Sequence, residues 1–252
     1  MKKWNFLLIL ALGFAACGPA PAGEIIPGCQ ATLDNLAALR EGYEFPQHFQ
    51  TENPLKQGGE FDVMQYFTVF DHLSMESGYA LDYVYHFDGM GGYPVLYVRP
   101  TSQPAYATEA DLSAAGETPS YLDHVRTDGT SEGYFQFVVL SITAGRFYLF
   151  WHANYNDRSI TCDKAAVMDI VSSTNHLSGQ PMPLKAKIQA RFLQNVEPRL
   201  IPGEDTLKVQ FVTFTMWGGF YLQTYTLSPS SPTKILDVQE KNLVPYDCGI
   251  MF

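Results

Sequence analysis

The chain has 252 residues and a formal net charge of −10, from 16 Lys and Arg against 26 Asp and Glu. That balance leaves no cationic footprint for nucleic acid, whose binding is driven by Lys and Arg on phosphate, and four cysteines in such a length exclude a small disulfide-stapled scaffold. The length suits one substantial core, and the aromatic residues, 14% of the chain, fall in runs of period-two alternation that point to strands.

Lys2 and Lys3 open the chain and lead into an uncharged apolar run from Phe6 to Ala16 that ends at Cys17. The run is shorter than the roughly 20 residues that span a bilayer, so residues 1–16 are expected to be a translocation signal. Ala15 and Ala16 before Cys17 resemble the lipobox of bacterial lipoproteins, with Phe14 standing where that motif has an aliphatic residue. The resemblance is confined to the first residues. It implies that Cys17 is acylated and becomes the new N-terminus of an extracytoplasmic protein, lipid-anchored to a bacterial plasma or outer membrane. An ordinary cleaved signal and an uncleaved anchor are the alternatives. Pro19 and Pro21 lie in a stretch with almost nothing to bury, so residues 17–28 are expected to be a tether and 29–252 a single domain. An acidic domain is repelled by an anionic bilayer, which leaves the lipid to supply the anchoring.

Along the domain, Thr32 can cap a helix over 32–40 that buries Leu33, Leu36 and Ala37. Residues 61–70 are expected to form a strand. Tyr79, Leu81, Tyr83, Tyr85 and Phe87 share one face of a strand, and Gly89, Gly91 and Gly92 turn it into a second strand over 94–99. Residues 101–133, poor in large apolar side chains, are expected to be a long surface loop. Two further hairpins are predicted: 134–143 with 146–153 across Ala144-Gly145, and 207–216 with 220–227 across Trp217-Gly218-Gly219. A helix over 163–173 has Asp163 at its positive end. Residues 184–192 alternate strictly between apolar and cationic or polar, which favours a strand over a helix. Its Lys-rich face is expected to be the wet side, with lipid headgroups or a partner as the alternative. A last strand is expected over 234–239. The fold class is therefore a strand-rich α+β domain of antiparallel β-hairpins with one or two packed helices, and an all-β barrel or sandwich is the rival.

Beyond Cys17, three cysteines remain, Cys29, Cys162 and Cys248. An extracytoplasmic address permits one bridge with one thiol left over. The pairing is open, and Cys162 with Cys248 is favoured because the smaller loop costs less to close.

The strong catalytic motifs are missing: no phosphate loop, dinucleotide fingerprint, Gly-x-Ser-x-Gly elbow or His-Glu-x-x-His pair occurs, and no cofactor or metal is expected. Ser231 and Lys234 match a Ser-x-x-Lys spacing in isolation, between prolines and without its partner motifs. The candidate ligand or metal face is Asp82, His86 and Asp88, at even positions of one predicted strand, where His86 could act as a base oriented by a carboxylate. The competing reading is the solvated side of a sheet. Asp71 with His72, and His152 with Asp157, are weaker pairs of the same kind. Trp217, and less so Trp151, are candidates for stacking on a flat ligand. The expected function is that of a membrane-tethered, non-catalytic protein that binds an unknown small ligand or envelope protein. A hydrolase or metal-dependent enzyme using His86 with Asp82 and Asp88 is the alternative, and a structural envelope component is the third reading.

Overall fold

The computed structural model describes residues 23–116, 119–152, 158–174 and 179–250; Cys17, the signal segment and most of the tether lie outside them. The chain runs through β1 (Glu24–Ile25), α1 (Cys29–Arg40), two single turns of 3-10 helix (Gln47–Phe49 and Val63–Gln65), α2 (Tyr66–Val69), β2 (Leu73–Met75), β3 (Tyr79–Phe87) and β4 (Gly91–Pro100). It continues through α3 (Glu109–Ala114), a 3-10 turn (Tyr121–His124), β5 (Val125–Thr127), α4 (Ser131–Thr143), β6 (Phe150–Trp151) and β7 (Ser159–Thr161). The last elements are α5 (Lys164–Ser173), α6 (Leu184–Arg191), β8 (Arg199–Pro202), β9 (Leu207–Thr215), β10 (Gly219–Ser228) and β11 (Lys234–Pro245). All strand pairs are antiparallel, and among the described residues no sheet closes into a barrel. The fold is strand-rich α+β.

The main sheet has six strands in the order β1-β8-β9-β10-β11, with β7 beside β8 on the same edge of β9. Strand alternation sends the side chains of β9 to opposite faces. Val209 and Phe211 join one core cluster with Phe135, Phe137 and Val138 of α4 and Leu81, Tyr83 and Tyr85 of β3. Val212 and Phe214 join a second, with Val167 and Val171 of α5 and Ala186 and Ala190 of α6. The sheet is thus the middle layer between two unlike cores. The turn from β9 to β10 needs glycine at Gly219, whose φ is +88° and where a Cβ would collide with the Val244 carbonyl.

The β3–β4 hairpin pairs Tyr79 with Pro100 through to Phe87 with Gly92, and buries Leu81, Tyr83 and Tyr85 as the alternation predicts. The β9–β10 hairpin also forms as expected, and Asp163 caps α5 by accepting from Ala166 N–H at 2.8 Å.

Several expectations are corrected. Residues 134–143 belong to helix α4, capped by Thr130 through Gly133 N–H at 3.0 Å. Every side from Gly133 to Leu140 is buried, so no polar phase distinguishes helix from strand in the sequence. Residues 184–191 form helix α6, with Phe192 at its C-cap, in which Ala186 and Ala190, four apart, pack inward and the Lys, Ala, Gln and Arg content favours the helix. Residues 61–70 contain no strand: Asp62 caps a 3-10 turn through Met64 N–H, and Val63, Tyr66 and Phe70 are buried at helical spacing. The expected loop over 101–133 carries α3, whose N-cap Thr108 and third residue Asp111 form a capping box, and β5, which pairs with β2.

The cysteine pairing is also corrected. Cys29 at the start of α1 is bonded to Cys162 just after β7, with Cα atoms 5.6 Å apart. Both lie in the first core cluster, whereas Cys248 is a free, fully buried thiol in the second, on the opposite face of the sheet. The closure advantage of the smaller loop is only about 0.4 kcal/mol, far too little to override which face each thiol occupies.

Candidate functional site

Asp82 and His86 share one face of β3 and Asp88 lies in the turn that follows, and the three ionisable groups are not gathered into one site. Asp82 accepts from Lys56 Nζ, from Arg99 Nε at 3.0 Å and from Tyr83 N–H at 2.8 Å. Burial pushes its carboxyl up, but Lys56 and Arg99 outweigh that and hold it below the usual carboxylate range. His86, about 13 Å along the strand from Asp82, pairs through Nδ1 with Glu109 of α3 at 2.7 Å and lies against the Tyr93 ring. Asp88 accepts from Met90 and Gly91 N–H at 2.8 and 2.7 Å, which fixes the turn and lowers its carboxyl. Each group therefore has its own partner. No cluster of three potential metal ligands occurs among the described residues.

Three other histidines follow the same pattern. His48 pairs with Glu60 at 2.9 Å, His124 with Glu76 at 2.8 Å, and His72 with Asp128 at 2.6 Å. Asp71 instead accepts from Gln136 at 2.8 Å and stands 3.8 Å from His72. The carboxylate of Asp128 raises the His72 imidazole above its ordinary range. Each of these pairs joins residues of loops or 3-10 turns that lie outside the strands. His152 stacks under the exposed Trp151 ring at 4.6 Å, while Asp157 lies outside the described residues. Trp217 is half-buried against the second core cluster and its Nε1–H donates to the Ile250 carbonyl at 3.0 Å, so its indole edge faces the C-terminal segment.

A cleft of about 530 Å³ opens between the C-terminal end of α4 and the sheet. On this face the sheet changes character: Val209, Phe211 and Leu227 lie in the core, while Thr213, Gln223 and Tyr225 line the cleft. Gln223 Nε2 donates to Thr213 Oγ1 at 3.2 Å and to Glu240 at 2.6 Å. Arg146 and Arg158 line the cleft as well. Arg146 donates to the Arg158 carbonyl at 2.6 Å, and the Arg158 guanidinium pairs with Glu240 at 2.6 Å. Burial pushes the Tyr225 phenol above its ordinary range, and the two nearby arginines pull against it. Leu122, Ile142 and Ile235 supply an apolar wall. The arrangement suits a small ligand with an anionic end and an apolar body. The Ser141 hydroxyl, also on the wall, is hydrogen-bonded to the Val138 carbonyl at 2.7 Å.

None of these cleft residues carries a sequence motif. They arrive from the 3-10 turn over Tyr121–His124, the end of α4, the approach to β7, the β9–β10 pair and β11, and only tertiary packing unites them.

No protein-family model, curated protein or solved structure matches the chain, so the reading of its function rests on its own residues.

Proposed function

We propose that the chain is an exported bacterial lipoprotein, held at a membrane through acylated Cys17, whose domain is a non-catalytic ligand-binding or accessory module on the extracytoplasmic side. The observation that carries this reading is the Cys29–Cys162 bridge. Disulfides persist in oxidising compartments and are reduced in the bacterial cytosol, so a bridge tying α1 to the end of β7 supports the export that Lys2, Lys3 and the run to Cys17 suggest. No helix among the described residues is long and apolar enough to cross a membrane, and an acyl anchor supplies the attachment without one. The cleft walled by Arg146, Arg158 and Tyr225 supports the binding role.

A hydrolase or metal enzyme built on His86 with Asp82 and Asp88 draws less support, since the three side chains engage Glu109, Lys56 with Arg99, and a backbone turn. The test is the intact mass of the chain extracted from membranes of a bacterial expression host. The expected species begins at Cys17 and carries covalent acyl chains, and Cys17→Ala abolishes it. A chain beginning at Met1, or cleaved elsewhere without lipid, overturns the reading.

A further inference from the structure

Helix α6 has two apolar faces. At about 100° per residue, Ala186 and Ala190 point to one side and are buried in the second core cluster. Leu184, Ile188 and Phe192 are centred roughly 180° away, with exposures of 73%, 48% and 71%. Such a stripe, with large side chains in water at each successive turn, is not required by the fold, because the small inward alanines already seat the helix. It lies between Lys185 on one flank and Lys187 and Arg191 on the other, by the same rotation. Residues 180–199 hold four cations and one carboxylate in a chain of net charge −10, so the local sign is opposite to that of the whole.

The place of α6 relative to the N-terminus adds a second observation. Residue Ile26 donates its N–H to the Pro198 carbonyl at 2.9 Å, and Arg199 donates to the Gly23 carbonyl at 3.2 Å. The chain therefore enters the domain within seven residues of the end of α6, a span of at most about 24 Å. Cys17 is six residues before Gly23, a reach of up to about 20 Å.

We propose that α6 is a membrane-docking helix that lies in the interface of an anionic bilayer, with Leu184, Ile188 and Phe192 among the acyl chains and Lys185, Lys187 and Arg191 at the lipid phosphates. This deepens the tethered reading above and rests on it. Apolar insertion and electrostatic attraction to anionic lipid add in such helices, and the long Lys and Arg stems allow their heads to reach the phosphates while the stripe is immersed. Anchor and helix together fix the orientation of the domain, which one point of attachment does not.

The test uses the full chain, processed and reconstituted in vesicles of phosphatidylglycerol and phosphatidylethanolamine. F192W places a fluorophore on the stripe at an exposed position where the fold tolerates it. Relative to the unsubstituted protein, the added emission is expected to shift to shorter wavelength and to lose intensity when the lipids carry brominated acyl chains. The loss is expected to shrink in K185Q/R191Q and in phosphatidylcholine vesicles. Emission typical of water with no added quenching overturns the proposal, as does quenching that is equal in both vesicle types and in K185Q/R191Q. A short-wavelength emission without quenching, accompanied by a cross-linked dimer, assigns the stripe to a second copy of the chain and overturns it too. The intact mass of the same sample separates the two readings: an acylated chain without quenching removes the docking helix alone, whereas an unacylated chain removes the tether and with it this proposal.

Discussion

The two faces of the main sheet solve the same burial problem with different materials. Toward α4, the core is built from large rings, with Phe211 edge-on to Phe135 at 6.1 Å and stacked on Tyr225 at 5.7 Å, and it is cross-linked by Cys29–Cys162. Toward α5 and α6, the layer is made largely of Val and Ala around Phe214, Phe220 and Tyr246, and its cysteine is free. The α4 face leaves a polar-lined cleft where the helix ends. The α5–α6 face bears the apolar stripe of α6 on its outer surface. The difference teaches that the anchoring of the fold and the display of exposed groups are divided between opposite sides of one sheet.

The contrast is most strongly tested by truncating neighbouring residues of β9. Phe211→Ala is expected to cost about 3–5 kcal/mol, and Val212→Ala, which removes two buried methyl groups on the other face, about 2 kcal/mol; urea unfolding of both variants measures the difference, and equal costs would break the comparison. Next comes the cross-link. Replacing Cys29 and Cys162 by Ala together is expected to cost about 2–5 kcal/mol and to remove the effect of a reducing agent on Tm, whereas Cys248→Ala leaves the reductant effect intact. The helix caps should be alike on the two faces: Thr130→Ala for α4 and Asp163→Ala for α5 each cost about 1 kcal/mol, readable by denaturant titration.

The smallest effect is a pH dependence confined to the α4 side. Asp128 raises the His72 imidazole, so that contribution is complete below the ordinary histidine range and disappears as pH rises through the higher folded value. For Asp128, burial raises the carboxyl, but Thr130 and His72 hold it lower overall, so its contribution is complete above the ordinary carboxylate range and is lost as pH falls through the depressed folded value. The pair is therefore at full strength between about pH 4 and 6.5. The difference in Tm between the wild-type chain and His72→Gln should be largest there and shrink on either side; a difference that is flat with pH would show that His72 contributes by packing alone.

The division also explains what was legible in the sequence. Half-buried hairpins advertise themselves: the alternation from Tyr79 to Phe87 and the glycines after Asp88 and Trp217 locate β3, β4, β9 and β10. Helix α4 was not legible as a helix because it is buried almost all round and has no polar phase to reveal its period. Helix α6 presents apolar residues both inward and outward, and the sum of its two stripes, Ala186 and Ala190 with Leu184, Ile188 and Phe192, imitates the period of a strand. Of the candidate face, Asp82 and His86 share one side of β3 while Asp88 falls in the turn beyond it, and the partners that divide the first two, Lys56, Arg99 and Glu109, come from other segments. The cleft arginines had no local signal at all, because their meeting depends on the packing of α4 over β9 and β10.

The bridge between Cys29 and Cys162 spans 133 positions of sequence, and it shortens the path by which mechanical load enters the domain. A pull on the residues before Glu24 is taken first by the β1–β8 pair, and what passes on to Cys29 crosses one covalent link to the end of β7 and from there enters β9 by hydrogen bonds, the strand at the centre of the sheet. The helices and the β3–β4 hairpin between the two cysteines lie off that path, so tension that enters through Cys29 bypasses α4 and reaches the sheet directly.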